Sequence, residues 1–257
     1  MPRHAGKLLL VLVGLSSAIS ETHAVGTVDL SWHQCSPIVT SVDGPVPDTY
    51  RLYASVTGQA EPHQAYSVLL YLFPHRPETL FPDAWRFDFA GCQGLGQLEI
   101  QHLPPPAVAV SCAAFQGAAA SSILFQDYVL DPTAGYARLL LSNRYLDGVL
   151  TPNPTDRSFL LGVEFDHGHS VVGPGSSGAT CGGLERDVVI SLSPPDLGCH
   201  RPDGCSPPPS RGPEWLDMQE VVHEFAVGNG TVTFCGSCAP VPAVGMTWGA
   251  IKGQYRR

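Results

Sequence analysis

"YRLYASVTG", residues 50–58, alternates between two kinds of side chain. Tyr50, Leu52, Ala54 and Val56 fall on one side of an extended chain and Arg51, Tyr53 and Ser55 on the other, because successive strand residues point to opposite faces. This pattern predicts a half-buried strand, one face on a core and one in water. The same signature recurs along the chain as short β-branched and aromatic runs separated by Gly, Pro, Asn and Asp. Strands are expected at residues 27–32, 65–73, 96–100, 122–130, 136–143, 158–166, 187–192, 220–227 and 231–235. "GNG" at Gly228–Gly230 reads as a tight hairpin joining the last two, since Asn and Gly accept positive φ. Helical periodicity is nearly absent, and turns without intervening helices predict an all-β fold, an antiparallel sandwich.

The N-terminus reads as a secretory signal over residues 1–24. Arg3 and Lys7 precede an apolar run from Leu8 to Ser20, and cleavage is expected after Ala24. That run is short for a membrane span of about 20 residues, and no later stretch is long and apolar enough to cross a bilayer. The expected location is secreted, outside the cytoplasm and in association with the cell surface. From Val25 to Cys238 the chain holds 9 basic and 22 acidic residues. That balance argues against nucleic acid, which selects a basic face, and against attraction to anionic lipid.

Eight cysteines follow the export signal: Cys35, Cys92, Cys112, Cys181, Cys199, Cys205, Cys235 and Cys238. Disulfides are the expectation in that compartment, with 105 pairings open. Two local pairs suggest themselves, Cys199 with Cys205 around "CHRPDGC" and Cys235 with Cys238. Residues 193–213 carry seven prolines, too many to pair as a central strand. They read as a long loop pinned by its own disulfide within one sandwich domain over residues 25–238.

Motifs that would carry chemistry are incomplete. "GPGSSG" at Gly173–Gly178 matches G-x-G-x-x-G without the strand and helix that a dinucleotide needs, and reads as a surface loop. Asp166, His167 and His169 offer the edge of a metal site if the strand continues, but a third and fourth ligand are not identified. "VVHEF" lacks the second histidine of a zinc protease. "CGSC" lacks the helix that activates a redox thiol. The acid pairs Asp83 with Asp88 and Glu185 with Asp187 have the chemistry of a glycosidase, or belong to a solvated acidic surface. Trp32, Trp85 and Trp215 could stack on sugar rings, or be core residues with one wet edge. No cofactor is indicated.

Residues 26–192, with "YRLYASVTG", "LLGVEFD" and "DVVISL" as successive strands, resemble cohesin-like and other immunoglobulin-related β-sandwiches of secreted bacterial proteins, or a jelly roll. The Cys–Trp–Cys hallmark of a true immunoglobulin domain does not fit. "PDAWRFDFAGCQG" and "CGGLE" resemble motifs of uncharacterised exported bacterial proteins. The resemblance implies a compartment and a fold. Cohesins bind dockerin modules, but no residue here matches a partner-binding motif and that role is not carried over.

Residues 239–257 form a proline-rich spacer and a short basic, aromatic tail. Trp248, Ile251 and Tyr255 share one helical stripe, and Lys252, Arg256 and Arg257 place positive charge at its end. Gly249 and Gly253 make a free helix of this length marginal. The tail reads as a sorting or docking element for an envelope or export-machinery partner, as a frayed end, or as a segment packed on its own domain. Taken together, the sequence predicts a non-enzymatic extracellular binding or structural module whose sandwich engages a surface glycan or protein. The alternative is a secreted metal-assisted or carbohydrate-active hydrolase using Asp166, His167 and His169 or the unpaired carboxylates.

Overall fold

The alternation at residues 50–56 builds the central strand of one of two stacked sheets. The computed structural model describes residues 26–44, 49–75, 80–113, 122–131, 135–145, 151–170, 181–194, 212–216, 219–220 and 222–236. The described residues form thirteen strands: β1 (Thr27–Trp32), β2 (Ser41–Asp43), β3 (Thr49–Thr57), β4 (Ala65–Pro74), β5 (Leu98–Gln101), β6 (Ser122–Asp131), β7 (Tyr136–Tyr145), β8 (Ser158–Asp166), β9 (Val188–Ser191), β10 (Glu214–Leu216), β11 (Val222–Glu224), β12 (Ala226–Val227) and β13 (Thr231–Cys235). Among the described residues the only helical segments are 3-10 turns at Asp83–Trp85 and Leu95–Gln97. No helix there is long and apolar enough to cross a membrane.

The smaller sheet has five strands in the order β12-β1-β3-β8-β5. The larger has eight, in the order β11-β10-β4-β9-β13-β2, with β7 on the other edge of β4 and β6 beyond it. Pairing is antiparallel except between β1 and β12 and between β13 and β2. Side chains from the facing sides interdigitate in one core that includes Leu30, Trp32, Leu52, Val68, Leu70, Leu139, Val163, Phe165 and Ile190. Trp85, Phe87, Phe165, His167 and Phe234 form its aromatic centre, with the Trp85 and His167 rings 4.7 Å apart.

Two polar links tie the sheets together. β8 carries a bulge opposite Ala54 and Ser55. The carbonyl of Leu160, the residue left out of that register, accepts a hydrogen bond from the buried Tyr66 hydroxyl of β4. Trp32 Nε1 donates to the Thr233 carbonyl at 3.1 Å.

Three expectations from the sequence are corrected. The run at residues 220–227 is not one strand: β11 lies in the larger sheet and β12 in the smaller, with the buried Phe225 at the crossover. The "GNG" segment accordingly makes no hairpin. Asn229 docks on β1 instead, its backbone N–H donating to Asp29 and its side-chain amide to the Leu30 carbonyl. In β3, Tyr53 and Ser55 are buried as well as the opposite face. Residues 103–113 fold back over them, and Cys35, Tyr53, Val108, Cys112 and Phe159 make a second, smaller core on the outside of the five-stranded sheet.

The disulfides Cys35–Cys112 and Cys92–Cys181 pin this covering segment and the loop that carries Trp85, spanning sequence separations of 77 and 89 residues. Cys235 is also disulfide-bonded. Its partner lies outside the described residues, as do Cys199, Cys205 and Cys238, so the local pairs expected from the sequence fall there too.

Candidate docking face

The outside of the eight-stranded sheet differs from the outside of the five-stranded one. Strand register places Ile123, Phe125, Asp127 and Val129 of β6 beside Arg144, Ser142, Leu140 and Arg138 of β7, and these beside Ala65, Ser67, Leu69 and Tyr71 of β4. Glu214 of β10 then lies opposite Ser67, with Glu224 of β11 opposite Glu214. Ile123 is 55% exposed, Phe125 52% and Val222 59%, whereas Leu69 and Leu140 are half-buried in the floor between them. Large apolar side chains brought together on an open sheet face mark an interaction surface in a folded protein.

Charge of both signs surrounds this apolar strip. Arg138 and Arg144 come from β7, Asp127 from β6 and Glu214 and Glu224 from the far strands. Arg144 lies 3.7 Å from Glu220 in an exposed pair. Two adjoining recesses open on the face. One, of about 350 Å³, is lined by Leu69, Tyr71, Val129, Arg138 and Leu140; the other, of about 240 Å³, lies against Ile123, Phe125 and Val222. The Tyr71 and Tyr136 rings, 6.0 Å apart, pack together on this outer side. The Nε of Arg138 is buried without a hydrogen-bond partner among the described residues.

The residues singled out from the sequence lie elsewhere. β8 ends at Asp166, whose carboxylate accepts from the Gly168 N–H at 2.8 Å and turns the chain. His167 therefore points into the core, where its Nδ1 meets the Ala84 carbonyl at 2.9 Å, while His169 is exposed. An extended strand would have kept both on one side; the turn separates them, and the proposed metal edge does not form. Among the described residues no group of three or more His, Cys, Asp and Glu is placed to hold a metal. Burial drives the His167 pKa down to about 4, more than the Ala84 carbonyl raises it.

Asp83 and Asp88 do not face each other across a cleft, because Arg86 lies between them, 3.6 Å from Asp83 and 3.2 Å from Asp88. The backbone carbonyl of Asp187 accepts from His75, and Glu185 lies exposed two residues away. Trp32, Trp85 and Trp215 are buried and offer no sugar platform. Trp215 stacks on His223, with ring centroids 4.4 Å apart. The glycine loop at 173–178 and the tail residues Trp248, Ile251, Lys252, Tyr255 and Arg256 lie outside the described residues.

The docking face was missed because "SILFQDYVL" lacks clean alternation. Tyr128 and Leu130 pack on the core while Ile123, Phe125 and Val129 lie on the opposite, outer side. Apolar residues on both faces normally signal a central strand. Here the strand is an edge, and its outward apolar residues stay uncovered by any described residue.

No protein-family model matches the chain, and no curated protein sequence does. Among solved structures it is similar to the second type II cohesin module from the cellulosomal adaptor ScaA scaffoldin of Acetivibrio cellulolyticus, at 11% identity and a TM-score of 0.39, over 84% of this chain and 98% of that one. It is also similar to a non-cellulosomal cohesin from the archaeon Archaeoglobus fulgidus, at 11% identity and a TM-score of 0.33, over 82% of this chain and 91% of that one. A type II cohesin domain from the Acetivibrio cellulolyticus cellulosome matches at 9% identity and a TM-score of 0.34, over 82% and 95% of the two chains. The likeness to cohesin β-sandwiches is loose, and the fold assignment rests on this chain's own two sheets.

Proposed function

We propose that the chain is an exported, non-enzymatic binding module that docks a partner protein on the outer face of its eight-stranded sheet. The observation that carries this reading is the exposed strip of Ile123, Phe125, Val129 and Val222 over a floor of Leu69 and Leu140, bordered by Arg138, Arg144, Asp127 and Glu214. An apolar centre with a charged rim is the anatomy of a protein interface. The strands beneath it are hydrogen-bonded on a packed core, so little ordering entropy opposes binding. Burial of all three described tryptophans favours a protein partner over a glycan. Against the hydrolase alternative, His167 and His169 are separated and Asp83 and Asp88 are joined through Arg86.

Export is supported by the leader-like residues 1–24 together with the two long-range disulfides, which persist in oxidising compartments. In this reading the tail at 239–257 is a sorting or docking element that acts separately from the face. The test is affinity capture from the producing cell's envelope and culture medium, with the native chain beside Val222→Lys and Phe125→Asp forms, both at exposed positions. A protein retained by the native chain and lost with both variants, at unchanged melting temperature, supports the face. If every captured protein binds the variants equally, the face is not the binding surface.

A further inference from the structure

Strands at the ends of the two sheets are short with one exception. β5 has four residues, β2 and β11 three each and β12 two, whereas β6 has ten. It pairs with β7 along its whole length with no shift of register, and no described strand pairs with its other side. Open edges are usually blunted by shortness, lysine, proline or a bulge, because unpaired backbone groups recruit other strands. "SILFQDYVLD" is long and has no lysine, proline or bulge; its only charges are Asp127 and Asp131.

An antiparallel pairing of two copies of β6 aligns residues of the same orientation, so its two-fold axis passes midway between one residue and its own copy. Centred on Asp127, the pairing would set two carboxylates face to face, which is destabilising. Centred on Gln126, it sets Gln126 against Gln126, Leu124 against Tyr128 and Ile123 against Val129, with Phe125 beside Asp127. Cross-strand apolar and aromatic pairs of this kind stabilise a sheet. This register covers Ile123 and Val129, 55% and 38% exposed in the single chain, with each other. We propose that β6 is a homodimerisation edge on which a second copy of this chain adds antiparallel about Gln126, making one continuous sheet across the two-fold. The inference goes beyond the docking face and is read without any other partner.

The test is analytical ultracentrifugation of the purified full chain over a wide concentration range. A reversible monomer–dimer equilibrium is expected. The Ile123→Lys/Val129→Lys form should raise the dimer dissociation constant at least tenfold while melting like the native monomer. Val222→Lys, on the face but away from the β6 edge, should leave the dimer intact, which separates failure of this proposal from failure of the docking face. Gln126→Cys should cross-link two chains under mild oxidation and Ser122→Cys should not, because only the residue beside the axis meets its own copy. A chain that stays monomeric at every concentration, or a dimer that survives the double lysine form, overturns the proposal. So does a dimer that appears only when residues 239–257 are removed, since the tail would then occupy the edge.

Discussion

Acidification should destabilise this protein through two buried histidines. His63 and His167 are both fully buried. Burial holds each pKa near 4, against an ordinary value of 6.5, with the Glu61 and Ala84 carbonyls opposing the shift. The sign follows from linkage: the unfolded chain takes up the proton near pH 6.5 and the folded chain only near pH 4. Stability from the neutral rings is therefore complete above about pH 6.5 and is lost as the pH falls toward 4. At pH 5 the loss is about 2 kcal/mol for each histidine, or roughly 4 kcal/mol together. That is a large part of the 5–15 kcal/mol typical of a folded domain.

The assay is urea denaturation at pH 7.5, 6.5, 6 and 5, with free energies extrapolated at a common slope. Asn at position 167 can still donate to the Ala84 carbonyl but does not titrate. His167→Asn should lower stability at pH 7.5, because the ring's packing against Trp85, Phe87 and Phe234 is lost. It should also remove about half of the pH dependence, roughly 2 kcal/mol between pH 7.5 and 5. A native chain whose stability is flat across that window would refute the reasoning. An Asn variant with the full native slope would show that His167 is not one of the groups responsible.

Other outcomes follow from single contacts. Tyr66→Phe removes a buried hydroxyl that donates to the Leu160 carbonyl and accepts from Asn143, which keeps its bond to Tyr145; losing both bonds should cost about 1–3 kcal/mol in urea titration. Gly162→Ala puts a Cβ 2.8 Å from the Tyr53 ring, which is itself pressed toward Phe159 under residues 103–113. A loss of about 1–3 kcal/mol is expected, and combination with Tyr53→Leu should recover part of it. Replacing Cys92 and Cys181 together with Ala opens a loop of 89 residues. The chain-entropy relation puts the cost at about 4–5 kcal/mol, seen as a lower urea midpoint. Phe125→Asp, at a half-exposed site, should change stability by less than about 0.5 kcal/mol while abolishing partner capture.

The strands were legible because alternation and turn residues are local properties. Nine expected runs coincide with described strands, and "YRLYASV" places its inner face correctly. Which sheet each strand joins was not legible. Nothing in "EVVHEFAV" says that Phe225 plugs the core while the residues on either side pair in different sheets. The short β2 and β10 are too brief for periodicity to register. Burial of Tyr53 and Ser55 depends on a proline-rich segment some fifty residues away, tied down by Cys35–Cys112. For His167 and His169 the deciding event is a turn set by the Asp166 carboxylate, which strand periodicity does not anticipate. Tryptophan followed the composition rule, since a large ring on a sandwich strand gains more from the core than from water.

The unequal treatment of the two outer faces gives the functional reading its physical basis. On the five-stranded sheet, Tyr53 and Phe159 point outward, and the chain spends residues 103–113 and a disulfide on covering them. The remainder of that face is occupied by ion pairs, Arg51 with Glu164 at 2.6 Å and Arg157 with Asp29 at 2.7 Å. On the eight-stranded sheet, Ile123, Phe125 and Val129 of β6 stand exposed beside the half-buried Leu69 and Leu140, and no described segment is pinned over them. Apolar area exposed in this way forgoes roughly 25 cal/mol per Å² of burial. Among the described residues, that cost is offset on one face and left standing on the other. A partner seated on the open face would recover it, whereas a binding site on the capped face would first have to break the Cys35–Cys112 cover.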